Sequence, residues 1–174
     1  MTLSGGASRV GAWTVDASRS TVAFEGRHLW GLARVRGEFA ELSGEGLVKA
    51  DGRFSGRVAI ALGSVDTKNV KRDEVLKSDR FFNAEDLKEL VFEAEETNLS
   101  GSSELTIPGR LSLGENSVPI EIKARIEDSS DDAVRLVADT LVDRAKLGVR
   151  ANPMGMAPTS TKVHVEIWFA RSAG

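Results

Sequence analysis

Cysteine is absent from the 174 residues, which excludes disulfides, thiolate catalysis and thiolate-bound metals. Such a composition fits a reducing compartment. Histidine is scarce: a Ser-His-Asp system would have to use His28 or His164, and no G-x-S-x-G motif accompanies either. His164-Val165-Glu166 on one strand is too little for a metal site, and neither a P-loop nor a dinucleotide fingerprint occurs. The residues therefore show no recognised catalytic, metal-ligand or cofactor motif, and an enzyme is not expected. Charge of one sign is also lacking. Lys and Arg number 23 against 26 Asp and Glu, a net of −3 with no block of like charges, which argues against a nucleic-acid partner. No stretch approaches the ~20 apolar residues of a membrane-spanning helix. Met1 to Ala12, with Ser4, Gly5-Gly6 and Ser8, lacks the apolar run of a secretory signal. The expectation is a soluble, cytoplasmic chain of one domain.

What the sequence has in quantity is period-two alternation, the mark of half-buried strands. Val22, Phe24, Gly26 and His28 share one face, and Val58, Ile60 and Leu62 another. Leu90, Phe92 and Ala94 alternate with Val91, Glu93 and Glu95. The longest run sets Val118, Ile120, Ile122, Ala124 and Ile126 against Pro119, Glu121, Lys123 and Arg125. Near the end, Val163, Val165, Ile167 and Phe169 alternate with residues that include His164, which is expected to face solvent.

Turn residues separate these runs. Gly44-Glu45-Gly46 and Asp51-Gly52 are read as flanking one strand, Gly114-Glu115-Asn116 as joining two, and Asp128 to Asp132 as a polar loop. Pro108 marks an edge, a bulge or a strand start, because it cannot donate to a ladder. Between Asp66 and Lys88 the alternation stops. Asp66 or Thr67 would cap a helix running to about Lys77, and Asn83 with Asp86 would open a second helical turn. About eight strands, short turns and one helical excursion imply an all-β sandwich or up-and-down barrel. Eight strands make a barrel just wide enough to be filled by side chains or to hold one small ligand. Alternation alone leaves both outcomes open, with a filled core the more usual one.

Several segments in order carry a resemblance: Trp13-Thr14-Val15-Asp16, Ser20-Thr21-Val22-Ala23-Phe24, His28-Leu29 and Gly37-Glu38-Phe39, then Ser64-Val65-Asp66-Thr67, Arg72-Asp73, Leu76, Ser78 and Phe81-Phe82. Leu90-Val91-Phe92, Gly109 to Leu113, Val118-Pro119-Ile120, Asp143-Arg144 and Leu147-Gly148-Val149 continue it. In order and spacing, from Trp13 to about Phe169, the chain resembles the YceI-like family. That resemblance implies an eight-stranded antiparallel lipocalin-like barrel with a short helical excursion, in a single domain over 12–172 behind a flexible tail over 1–11. It also implies non-enzymatic binding, storage or transport of a polyisoprenoid, such as a quinone precursor or prenyl phosphate, and a possible homodimer. The alternative is a filled-barrel interaction module acting through its loops. Gly26 departs from the family pattern, where a bulky inward residue is usual, and so does Pro108.

The expected ligand-binding residues are Phe24, His28, Phe39, Leu62, Phe81, Phe82, Phe92, Leu111, Leu113, Ile167 and Phe169. No cofactor is expected beyond a bound isoprenoid lipid. His28, Arg72 and Arg144 are candidates for a ligand head group. For His28 the competing reading is a buried imidazole satisfied by a backbone carbonyl or carboxylate. Arg72 and Asp73, adjacent on a helix, are expected to diverge and not to share a partner; a structural tie of the excursion to the barrel rim is the favoured role. Met154 and Met156 are read as part of a lid or an interface.

Overall fold

The structure, a computed structural model, describes residues 9–28, 33–79, 81–98, 103–149 and 160–172. The side chain of His28 and the loop bearing Met154 and Met156 lie outside the described residues.

The strands are β1 (Gly11–Val15), β2 (Thr21–His28), β3 (Ala33–Phe39), β4 (Leu42–Val48), β5 (Arg53–Ala61), β6 (Val65–Asp66), β7 (Glu89–Asn98), β8 (Glu104–Leu113), β9 (Asn116–Ser129), β10 (Ala133–Asp143) and β11 (Ser160–Arg171). Two short helices, α1 (Val70–Lys77) and α2 (Ala84–Leu87), separate β6 from β7. The pairings are antiparallel and follow the chain as a meander, and β1 pairs with β11 to close the ring. The result is a closed eight-stranded barrel, because three staves are each interrupted once. β1 and β2 run along the same edge of β11, with Val15 opposite Phe169 and Thr21 opposite Glu166. β3 and β4 form the next stave, pairing with β2 and β1 in turn.

The first interruption shows how a stave bends without losing its place. A 3-10 turn over Ala17–Arg19 is capped by Asp16, whose carboxylate accepts from the Ser18 amide. Buried Ser20 then donates its hydroxyl to the Asp16 carbonyl (2.7 Å) and accepts from the Trp168 amide (2.9 Å). One side chain thus takes up the ladder positions that the bend would leave open.

Alternation places the inner faces as the sequence indicates. Two buried clusters fill the two ends of the barrel. One gathers Val22, Phe39, Leu42, Leu62, Leu111, Leu113, Leu147 and Ile167; the other gathers Trp13, Val48, Leu105, Ile107, Ile126 and Val134. Phe92, Val165 and Phe169 pack against both and form the waist.

Several local expectations are corrected. Gly44-Glu45-Gly46 lies inside β4 and is not a turn. The chain approaches β5 so closely that a Cβ on Gly44 would sit 2.3 Å from the Arg57 carbonyl oxygen, so the glycine serves packing. The turn itself spans Lys49 to Gly52, where Gly52 has φ +88°. Leu62 falls in a 3-10 turn after β5 has ended at Ala61, though it is fully buried. Asn69 caps α1, accepting from the Arg72 amide, in place of Asp66 or Thr67. Asn83 does precede α2, but in a left-handed conformation and without a capping bond; its amide donates to Asp86 instead (3.2 Å). Pro108 sits where its lost N–H is tolerable: β7 partners β8 only over Gly109 to Leu113, so Pro108 is the first residue beyond that pairing.

Candidate ligand cavity

The barrel encloses a cavity of about 520 Å³, within the range of small-molecule sites, about 300–1,000 Å³. Its wall is almost wholly aliphatic and aromatic. Phe24, Phe39, Leu62, Phe81, Phe82, Phe92, Leu111, Leu113, Ile167 and Phe169 all line it, joined by Ile120, Ile122, Val163 and Val165 from the inward faces of β9 and β11. Phe39 links the barrel to the helical excursion, its ring centroid 5.4 Å from Phe24 and 5.8 Å from Phe82. Phe81 and Phe82 are expected on the wall through the family resemblance, which includes them as a pair. Val75 and Leu76 of α1 are also on the wall but were not expected there, because α1 has no apolar stripe to mark an inward face.

Polar groups on the wall are few. Among the described residues they are Arg9, Ser55, Arg57, Arg72, Thr140, Arg144 and Thr161, with no carboxylate. Arg57 directs its guanidinium toward Glu89 and Glu93 (3.7 and 3.9 Å), and Arg9 donates to Ser129 (3.1 Å). Thr140 stands opposite Val163, and Thr161 opposite Val142, at the end of β10 that runs into Arg144. Arg144 donates to the Val149 carbonyl (2.9 Å) and lies 5.9 Å from the Phe81 ring centroid. Burial pulls its guanidinium below the ordinary arginine value, with Asp143 opposing, yet an arginine remains charged at neutral pH.

Arg72 and Asp73 do share a partner, against expectation. The Thr67 amide and hydroxyl both donate to Asp73 Oδ1 (2.9 and 2.6 Å). Arg72 Nε donates to the same hydroxyl (2.9 Å), and Nη2 to the Thr67 carbonyl (2.8 Å). Helical divergence does not prevent this, because Thr67 precedes the helix and the long arginine side chain bends back to it. The trio ties α1 to the end of β6. Thr67→Val, which keeps the shape and removes the hydroxyl, is expected to cost about 1 kcal/mol by leaving the half-buried Arg72 and Asp73 side chains each one partner short. Urea denaturation would measure it, and a loss within error would show that the tie is redundant.

His164 faces outward from β11, 44 % exposed, with Nδ1 2.7 Å from Asp139 and Nε2 3.2 Å from Glu166. The bond to Asp139 first, then that to Glu166, holds its pKa above the ordinary value, with burial opposing. A raised folded-state pKa stabilises fully below the unfolded value, about 6.5, and the benefit disappears as pH rises through the folded value. The melting temperature of the native chain should exceed that of His164→Gln most at pH 5.5, and the gap should shrink toward pH 9. A gap independent of pH would rule out this pairing.

Among the described residues, no group of three or more His, Asp or Glu is placed to hold a metal ion. Nor is any helix among them long and apolar enough to cross a membrane.

A closed eight-stranded barrel with an apolar interior cavity and a helical excursion at its rim is a lipocalin-like architecture. The chain belongs to the YceI-like family, whose domain model matches residues 13–170. A UPF0312 protein of Shewanella denitrificans is 27% identical over 157 residues, covering 86% of this chain and 80% of its own length. In fold the chain is similar to a polyisoprenoid binding domain from Saccharophagus degradans implicated in plant cell wall breakdown. That match has a TM-score of 0.77 at 15% identity, over 92% of this chain and 98% of the other. BcnA of Burkholderia cenocepacia is similar as well, with a TM-score of 0.77 at 12% identity, over 88% and 98%.

Proposed function

We propose that this protein binds a long apolar ligand, a polyisoprenoid, inside its barrel, and stores or carries it without chemical change. The supporting observation is the cavity itself: about 520 Å³, apolar along its length, with Arg72 and Arg144 on its wall and no carboxylate among the described lining residues. A prenyl chain offers no directional polar groups, so burial must drive binding. At about 25 cal/mol per Å², each ~100 Å² buried contributes about 2.5 kcal/mol. Association costs about 4–15 kcal/mol, so one isoprene unit cannot hold and several are needed. The two arginines would favour an anionic head group, such as a prenyl phosphate, over an alcohol. The cavity supports this reading over the filled-barrel alternative, which requires a packed interior.

The setting we propose is the cytoplasm, and a homodimer follows from the family resemblance alone; light scattering on the same samples tests it. The test of function is mass spectrometry on an organic extract of protein purified from its native host. A prenylated species near stoichiometric amount is expected, as is a rise in melting temperature on adding prenyl ligand. Protein that is empty and also indifferent to added prenyl compounds would overturn the proposal.

A further inference from the structure

We propose that Gly26 sets the length of ligand the cavity accepts, by leaving a notch in the wall through which the chain passes toward the end bearing Arg144. The inference rests on the prenyl-binding reading and adds to it a specificity-determining position.

Most strand glycines here are demanded by packing. A Cβ on Gly37 would lie 2.5 Å from the Phe24 ring, and on Gly109 2.3 Å from the Glu93 carbonyl oxygen. Gly26 differs in every respect. Among the described residues, a Cβ built there meets no heavy atom within 4 Å, and its backbone φ lies outside the left-handed region. A side chain would fit, and the strand would gain from it, since glycine within a strand costs roughly 0.5–1 kcal/mol relative to alanine. The fold thus does not require this glycine.

The empty space belongs to the cavity. Gly26 lines it, on the inward face of β2 after Val22 and Phe24 and opposite Val35 of β3. It lies one residue past the Glu25–Lys162 pair, where β11 continues to Thr161, another lining residue. Thr161 pairs with Val142, two residues before Arg144. Phe24, two residues earlier on β2, and Val35, across the pair on β3, border the notch and also line the cavity. A prenyl chain longer than the enclosed cavity has its room to extend at this point. Filling the notch should exclude the part of the chain that passes it, while a chain short enough to lie wholly inside is unaffected.

The test uses the full chain and its Gly26→Ala, Gly26→Val and Gly26→Leu variants, titrated with farnesol, geranylgeraniol and solanesol in order of increasing length. Affinity for the longest alcohol should fall with side-chain size, by about tenfold or more for Gly26→Leu, with farnesol binding unchanged. Melting temperatures should hold or rise. If Gly26→Leu fails to fold, the Gly26→Ala and Gly26→Val pair must still show the length-dependent order. Equal affinities in all variants, or a loss uniform across the three alcohols, would overturn the notch. If the native chain binds neither a prenyl alcohol nor a prenyl phosphate, the carrier reading fails, and uptake of the rod-shaped dye diphenylhexatriene decides the notch independently. Reduced uptake by Gly26→Val supports it, and equal uptake refutes it.

Discussion

Phe39→Ala lowers the free energy of unfolding by about 3–5 kcal/mol, the range for emptying a buried phenylalanine site. Phe39 is 5 % exposed, stands opposite Val22 of β2 and Val65 of β6, and lies between the rings of Phe24 and Phe82. Removing it takes away more than its own contacts. α1 buries no residue of its own, so the excursion is held by a few attachments: Leu76, Phe81 and Phe82 against the core, and the Thr67 tie to Arg72 and Asp73. Without the central ring, Phe82 loses its anchor. Denaturant unfolding should give the loss, and limited proteolysis should show cleavage within 68–88 before the barrel opens. A cost below about 1 kcal/mol would show that the neighbouring side chains collapse into the space.

Gly109→Val costs about 3 kcal/mol or more, at or beyond the upper end of ordinary overpacking. The new Cβ would fall 2.3 Å from the Glu93 carbonyl oxygen and 2.7 Å from two atoms of the Phe92 ring. The ring could turn aside, but the carbonyl belongs to the ladder itself. Gly109 pairs with Ala94 on one side and Ile120 on the other, so neither neighbouring strand can retreat without breaking registry. The same substitution at Gly26, where nothing among the described residues stands within 4 Å, supplies the control, and a thermal melt of the two variants side by side decides it. Equal, small shifts would mean that β7 and β8 can separate at little cost.

These two glycines also mark what a sequence can convey. Alternation reports which side chains share a face, because the period of a strand is fixed by its pleat. The inward runs of Val118 to Ile126 and Val163 to Phe169 were legible for that reason. A glycine reports only that no side chain is present. Gly44 and Gly46 read as a turn and lie within β4, Gly44 at a close approach of strands, whereas Gly52 is a turn, and the difference lies in which backbone comes near. The bends that divide three staves were hidden likewise, because Ser20 bridges one of them through a partner far along the chain, Trp168. In the cavity, the aromatic lining was legible as inward-facing apolar residues and as Phe81-Phe82. The shared use of Thr67 by Arg72 and Asp73 was not, because helical geometry speaks for Cβ directions and not for the reach of a long guanidinium side chain.

The pairing of β1 with β11 joins the most distant strands of the domain, Trp13 opposite Arg171. Contacts of such sequence separation are slow to form, because the closure entropy of the intervening chain must be met before they stabilise anything. Until β11 is in place, the remaining strands form an open sheet with a greasy face and two unpaired edges, the situation most prone to edge-to-edge association. Folding of this barrel is therefore expected to be slow, with ring closure late. On the proposed reading, an isoprenoid would cover the greasy face of the nascent sheet as well as that of the finished barrel, raising the refolding yield.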